Sequence, residues 1–477
     1  MREEYQLYIN GGWMPQTDGC VREDIEPATG KTLFTVHRAG PQDVEKALQS
    51  AADAAEKWKN VLPADREAIL LRAADVMASR EEEFLELMVR EGGKPQHIAR
   101  GEFKGTLGVF RVAAGECRRH TTDFFPPTKP GQMSMTVRSP LGVILGILPF
   151  NYPIILSVKK LAYAIAAGNS FILKPSPHTP AMSLLLGEVL TQAGLPDGVL
   201  NVVPVADEAL SAAMAEDRRV RMVSFTGGTR AGRDIARECA GAFKRFAMEL
   251  GGKNPLILLK DFNVDQAVEI AAAGAFSNQG QLCMATSRII VEAPLYDEFC
   301  EKMGKKAASL KMGDPVDPTV MVGPIIDEKH CLFVQAQVDD AVARGARLLT
   351  GGAYSGNFYA PTVLADVRED MEIFYEESFA PVTSIVRAED PAHALRLCND
   401  NHYGLSASLL THDLDLAMEL SQAMEAGMIH VNDLTYLSAT VHPSGGWKDS
   451  GVGQEGGRYS MDDYTELKWI TLQSTRA

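Results

Sequence analysis

Three short stretches of the chain combine chemically useful residue types with spacing that would expose them. Cys283 lies in Asn278-Gln-Gly-Gln-Leu-Cys-Met, a glycine- and amide-rich loop at the end of a helical pattern. A thiol becomes a nucleophile when the backbone leaves it approachable and a base stands near. A lone cysteine is more commonly an inert core residue, and the other six cysteines are read that way. Glu249, in Ala-Met-Glu-Leu-Gly-Gly-Lys-Asn-Pro, is either a cap ahead of the Gly-Gly turn or a general base held where the backbone comes close. Phe225-Thr-Gly-Gly-Thr-Arg-Ala-Gly stands between a strand pattern and a helical one. Free helix N–H groups and the helix dipole at such a turn can cradle a phosphate. The stretch is not GxGxxG, so a plain tight turn fits it about as well.

The elements that must position these residues alternate in type. The first stretch, to about residue 120, reads as helical: one amphipathic run opens at Pro41, a second at Pro63, and Gly92-Gly93 closes the latter. From Leu141 short apolar runs at Val143–Leu148, Ser170–Leu173, Leu200–Val203 and Met222–Phe225 alternate with helical segments. That order implies a parallel sheet with crossover helices. A second alternation follows: a strand at Pro255–Leu259, a helix from Val264 to Asn278, a strand at Arg288–Glu292 and a helix from Pro294 to Leu310. The expected class is α/β, with two parallel α/β domains, the first Rossmann-like in its strand–helix order, and a small β element. The Pro-punctuated Thr121–Pro140 segment holds a strand at Met133–Arg138 that cannot bury much alone. It pairs either with the tail Leu467–Leu472 or with another subunit.

Composition excludes several classes. A chain of 477 residues exceeds one simple core. A formal net charge of −15 with no Lys/Arg-rich stripe argues against nucleic acid. The longest apolar run, Leu141 to Phe150, is too short and glycine-broken to span a bilayer, and the N-terminal residues carry no apolar signal core. Seven scattered cysteines without a CxxC pair suit neither a disulfide framework nor a zinc ribbon, which points to a reducing cytoplasm.

Taken in order, the motifs resemble the aldehyde dehydrogenase superfamily, non-acylating NAD(P)-dependent type. The matching pieces are Pro149-Phe-Asn-Tyr-Pro, Leu173-Lys-Pro-Ser, Phe225-Thr-Gly-Gly, Glu249-Leu-Gly-Gly-Lys, Gly280-Gln-Leu-Cys, Glu376-Glu-Ser-Phe-Ala-Pro-Val, Asn432 and Gly445-Gly-Trp-Lys-Asp-Ser-Gly. With Tyr8-Ile-Asn-Gly-Gly-Trp and Pro27-Ala-Thr-Gly the likeness spans nearly the whole chain. It implies oxidation of a small-molecule aldehyde to its carboxylate through a thiohemiacetal and thioester. Cys283 would be the nucleophile, Asn151 with the Cys283 amide the oxyanion hole, and Glu249 the base for the hydrolytic water. Lys174 and Glu377 would hold cofactor ribose hydroxyls, Phe379 would line the nicotinamide side, and Gly227 would admit the pyrophosphate. Ile147, Pro149 and Leu250 would complete the cofactor site, and Tyr152, Lys159 and Met284 the substrate side. The cofactor would be NAD or NADP, with NADP tolerated because Pro177 stands where NAD-preferring members often carry glutamate, beside Lys174 and His178. By the same resemblance, 1–120 and 141–251 form the dinucleotide-binding domain, 252–462 the catalytic domain, and 121–140 with 463–477 a bridge for a homodimer or homotetramer. No metal is implied.

Departures from the family pattern leave every catalytic group in place: Phe150 for tryptophan, Gly228 for serine, Ala380 for glycine, and Ser444 for phenylalanine at the substrate mouth. The position of Lys159 is aromatic in many members. A lysine there would favour an anionic substrate tail by charge pairing, unless it turns outward into solvent; an aromatic aldehyde suits Tyr152 and its apolar neighbours equally. A CoA-acylating relative would not need Glu249, and a silent relative would need neither Glu249 nor Cys283. A cysteine hydrolase would need a histidine partner, and neither His178 nor His402 sits in such a signature.

Overall fold

The computed structural model describes residues 1–119, 121–437 and 440–475. Residue 120 and residues 476–477, at the ends of the expected dinucleotide and bridging segments, lie outside the described residues. Two large sheets organise the chain. The first runs Gly451–Val452, Arg245–Glu249, Val220–Thr226, Val143–Ile147, Ser170–Lys174, Leu200–Val202, Leu7–Ile9, Gly12–Met14. Its five inner strands, from Arg245–Glu249 to Leu200–Val202, are parallel. Their residues alternate between two cores: Ile144, Phe171 and Met222 face one, Val143, Leu145 and Val223 the other. That period of two feeds a layer of helices on each face, the arrangement a parallel sheet needs to hide both sides from water.

The second sheet orders Arg347–Thr350, Thr362–Ala365, Val382–Ala388, Thr286–Glu292, Asn254–Leu258, Ser406–Leu410 and Met428–Val431, parallel except at its first pair. It too is covered on both faces, by helices Glu328–Ala343 and Pro391–Asn399 on one side and Val264–Phe276 and Tyr296–Ala308 on the other. The mixed α/β class with parallel sheets stands as expected.

The segment Gln132–Pro140 pairs antiparallel with the tail strand Thr465–Gln473, from Thr465 opposite Pro140 to Gln473 opposite Gln132. Phe124–Phe125 adds a third strand.

The N-terminal stretch differs from the helical expectation. Five strands, Glu4–Tyr5, Leu7–Ile9, Gly12–Met14, Cys20–Ile25 and Thr32–Arg38, precede the first helix, Pro41–Trp58. Asn10 and Gly11, both with positive φ (53° and 79°), turn a hairpin that the Asn-Gly pair announces. The second helical run is also two helices, Pro63–Ala78 and Glu81–Arg90, separated at Ser79–Arg80.

Candidate active site

The expected helix from Val264 to Asn278 stops at Phe276, and the chain enters a short 3₁₀ turn, Ser277–Gly280. Asn278, Gln279 and Gly280 are successively left-handed, with φ of 48°, 55° and 66°. Such a conformation costs roughly 1–2 kcal/mol at each non-glycine residue. Side-chain hydrogen bonds hold it. Gln279 Nε2 donates to Gly93 O (3.0 Å) and Pro324 O (3.1 Å), while Gln281 Oε1 accepts from Ile326 N (3.0 Å). Gly280 is obligatory, because a Cβ there would stand 2.0 Å from the Ala380 carbonyl oxygen. Downstream, Asn254 Nδ2 donates to the carbonyls of Cys283 (2.8 Å) and Ala285 (2.9 Å), fixing the loop as it leaves the turn. The result delivers Cys283 to a cavity of about 290 Å³.

Asn151, Tyr152, Lys159 and Met284 line the same cavity, with Ile98, Ile155, Leu156, Leu282 and Leu437 as apolar wall. Asn151 follows the strand Val143–Ile147 and precedes the helix Pro153–Ala166, whose Pro153 suits the first helical position. That helix has no local side-chain cap. Glu102, from helix Gln96–Glu116, substitutes: its Oε1 accepts from Ile154 N (3.1 Å) and Ile155 N (3.2 Å), and its Oε2 pairs with buried Lys94. Lys94 Nζ in turn lies 3.8 Å from the centre of the Tyr152 ring. Asn151 Nδ2 donates one hydrogen to Gln281 O (2.9 Å), leaving the other uncommitted. The Cys283 amide donates to no other residue among the described residues.

Lys159 faces the cavity rather than turning away, and makes no ion pair among the described residues. Lys160, one residue on, is fully buried and pairs with Glu455. Glu249 ends its strand beside this pair, with no hydrogen bond to its carboxylate among the described residues. Burial and then Glu455 push the Glu249 carboxyl well above its ordinary range, against Lys160 and Lys159. Burial, with Glu377 and Glu249 adding, pushes the Cys283 thiol up to about 12, and Lys159 opposes the rise. No histidine hydrogen-bonds Cys283 among the described residues, although His97 lines the same cavity.

The cofactor candidates collect at the C-terminal ends of the first sheet's strands, where ligands of open α/β sheets bind. Ile147 stands opposite Lys174 on one side and Phe225 on the other. Thr226-Gly227-Gly228 then leads into the helix Thr229–Gly241, which no side chain caps. A Cβ on Gly227 would meet the Phe225 ring at 2.5 Å, whereas one on Gly228 would meet nothing within 4 Å; the Thr226 hydroxyl is buried without a partner. A bare helix N-terminus, an orphaned hydroxyl and open space beside glycine fit a diphosphate. Leu250 packs on Gly232 of that helix. Across from it, Glu377 Oε1 accepts from Gly252 N (3.2 Å). Burial raises its carboxyl to about 7, with the Gly252 amide and Lys253 pulling back. Phe379 takes a positive φ of 49° and meets Phe150, next to Pro149, edge-on at 5.9 Å.

Of the expected residues, Cys283, Asn151, Tyr152, Lys159 and Met284 share one cavity, and Ile147, Lys174, Gly227, Glu249 and Leu250 lie at or just past the C-terminal ends of the first sheet's strands. Sequence reasoning missed Glu102, Lys94, Tyr436, which also lines the cavity, and Arg38, whose Nη2 donates to Pro177 O (3.0 Å) beyond Lys174. Glu102 acts on a helix about 50 positions away in the chain, and nothing local marks it.

Comparison with known proteins agrees with this geometry. The model of the aldehyde dehydrogenase family matches residues 13–470. Vanillin dehydrogenase of Pseudomonas sp. is 40% identical over 98% of both chains. Succinate-semialdehyde dehydrogenase [NADP(+)] of Escherichia coli is 34% identical over 98% of this chain and 97% of its own. The solved structure of a salicylaldehyde dehydrogenase from Pseudomonas putida, complexed with salicylaldehyde, superposes with a TM-score of 0.97 at 34% identity, covering 100% of this chain and 99% of that one. The chain belongs to the aldehyde dehydrogenase family and is an NAD(P)-dependent dehydrogenase of aldehydes. No helix among the described residues is long and apolar enough to cross a membrane.

Proposed function

We propose that the chain oxidises an aldehyde to its carboxylate at Cys283, by acyl transfer to the thiol and hydrolysis by water that Glu249 activates. The observation carrying this reading is the convergence of Cys283, Asn151 and Lys159 on one cavity, with the carboxylate of Glu249, which has no hydrogen bond among the described residues, acting on the same thiol. The Cys283 thiol gives its proton to water, and the sulfur, as thiolate, bonds to the carbonyl carbon while the π electrons move to oxygen. The Cys283 amide and the free Nδ2 hydrogen of Asn151 are donors for that oxygen. When bound, the dinucleotide supplies the hydride acceptor that turns the thiohemiacetal into a thioester. Glu249 takes a proton from water, whose oxygen adds to the acyl carbon. The C–S bond breaks and the thiolate is restored. A raised pKa makes Glu249 a stronger proton acceptor near neutrality than an ordinary carboxylate.

Residues 1–120 and 141–251 supply the dinucleotide side and 252–462 the nucleophile. The three-stranded sheet joins copies into a dimer or tetramer, since Phe124, Trp469 and Leu472 expose 65%, 72% and 51% of their surface on it.

The apolar walls of the cavity and Lys159, which makes no ion pair among the described residues, suit a flat aromatic aldehyde carrying an anionic or acidic ring substituent. Relatives that act on vanillin and salicylaldehyde support an aromatic substrate. The test compares 4-carboxybenzaldehyde with benzaldehyde in wild type and Lys159→Met. A charge-assisted contact of ~1.5–3 kcal/mol corresponds to a loss of roughly 10- to 100-fold in kcat/KM for the charged substrate alone. Equal losses on both would remove Lys159 from substrate recognition. The acyl route itself is tested by Cys283→Ala, which abolishes oxidation and leaves cofactor binding intact; turnover near wild type would overturn it.

A further inference from the structure

A cavity of about 630 Å³ opens at the base of the three-stranded sheet and shares no lining residue with the one around Cys283. Lys59, Arg66, Arg118 and Arg138 line it, and among the described residues no carboxylate does. A lining of that sign stands out in a chain whose formal net charge is −15. Three of the cations have partners behind the wall: Lys59 pairs with Glu56 (2.5 Å), Arg118 with Glu67, and Arg138 with Asp462 (2.7 Å). Arg66, in the helix Pro63–Ala78, has none. Its Nε is buried without an acceptor, and its guanidinium makes no hydrogen bond or ion pair among the described residues. Burial lowers the Arg66 pKa and Cys117 opposes the fall, but burial pushes that thiol itself up to about 12, so it carries no charge near neutrality. The backbone accounts for where the guanidinium sits and leaves its hydrogens free. Gly168, at φ 94° just past the helix Pro153–Ala166, lacks the Cβ that would stand 2.2 Å from Nη1, and the negative end of that helix draws a cation.

A half-buried arginine with no acceptor is costly to hold unless an anion takes its hydrogens. The rest of the wall is apolar, with Leu62, Val137, Pro140 and Met461 contributing to it. A bare inorganic anion would leave those side chains wet, whereas an acid with an apolar body covers them. We propose that this cavity is a second ligand site, separate from the catalytic one, which binds an organic carboxylate with an apolar body: the carboxylate on Arg66, the body against Leu62, Val137 and Met461. The guanidinium fork matches a carboxylate with two parallel hydrogen bonds, and Arg118, Arg138 and Lys59 add a favourable field around it.

Three probes separate the features by calorimetric titration: 2-naphthoate carries both, 2-naphthamide the body without the charge, and acetate the charge without the body. Wild type binds 2-naphthoate with a component that Lys159→Met, a change confined to the catalytic cavity, leaves in place. Arg66→Gln weakens that component roughly tenfold or more, Arg66→Lys weakens it less, and added salt weakens it in wild type. Neither 2-naphthamide nor acetate reproduces it. An Arg66→Gln enzyme that binds 2-naphthoate as tightly as wild type overturns the proposal, as does equal binding of 2-naphthamide or of acetate. If Lys159→Met removes all 2-naphthoate binding, the ligand occupies only the catalytic cavity and the second site fails. Unliganded variants that melt with wild type separate these outcomes from misfolding. Should Arg66→Gln not fold, Arg66→Lys, which keeps the charge and loses the fork, makes the same comparison, and undiminished binding by it overturns the proposal.

Discussion

Replacing Lys160 with methionine isolates the charge pair that stands behind Glu249. The Lys160 side chain is 0% exposed and that of its partner Glu455 8%. Removing one member of so buried a pair leaves an uncompensated charge, which costs about 3–5 kcal/mol, whereas replacing both by apolar groups is often neutral. At about 2–4 °C per kcal/mol, typical of domains of 150–250 residues, Lys160→Met and Glu455→Gln should each melt roughly 6–20 °C lower than wild type. The double variant Lys160→Met/Glu455→Leu should recover most of the loss. The two singles should part company in catalysis. Lys160 lowers the Glu249 pKa and Glu455 raises it. Without Lys160 the carboxyl titrates higher, so the basic form appears only at higher pH; without Glu455 it titrates lower. The pH dependence of carboxylate release after a single turnover, followed from about pH 6 to about pH 9, reads this directly. Shifts of the same sign in both singles, or single-variant losses below about 1 kcal/mol, would refute the reasoning.

Further outcomes follow from the same geometry. Asn151→Ala should lower kcat by roughly 100- to 1,000-fold with little change in cofactor affinity, measured by steady-state kinetics and cofactor titration. On the reading that Glu377, raised to about 7 by burial, holds a ribose hydroxyl through its ionised form, cofactor affinity should rise as pH climbs through that value, and Glu377→Gln should flatten the dependence. In the free enzyme, a Cys283 thiol pushed up to about 12 should be alkylated by iodoacetamide at a rate rising about tenfold per pH unit through neutrality. A plateau near pH 7 would contradict it. Glu102→Gln, which weakens the pairing with Lys94 and the cap on the helix Pro153–Ala166, should lower both stability and kcat, seen in melts and initial rates.

Much of this was readable in the chain because period and punctuation are local. The strands from Val143 to Thr226 alternate between two cores, and the glycine turns that break them mark where a ligand could approach. The N-terminal strands escaped a helix-biased reading, since two to seven residues of mixed polarity carry little periodic signal, although the Asn10-Gly11 turn marked the first hairpin. The helix before Cys283 reads as continuing to Asn278 because its propensities do continue. The left-handed turn wins through bonds from Gln279 to Gly93 and Pro324, groups far along the chain. Glu102 and Arg38 were illegible for the same reason: each acts across the fold on a partner that sequence distance hides. Lys159 was ambiguous between cavity and solvent until the helix Pro153–Ala166 was packed.

The most direct test of the central claim is made with Glu249→Gln. Mixed with aldehyde and oxidised dinucleotide, this variant should reduce about one equivalent of cofactor per site in a burst and then stall, since hydride transfer precedes hydrolysis. Peptide mass spectrometry of the stalled enzyme should find the acyl group as a thioester on Cys283. Full steady-state turnover without accumulation, or an acyl group on any other residue, would contradict the account.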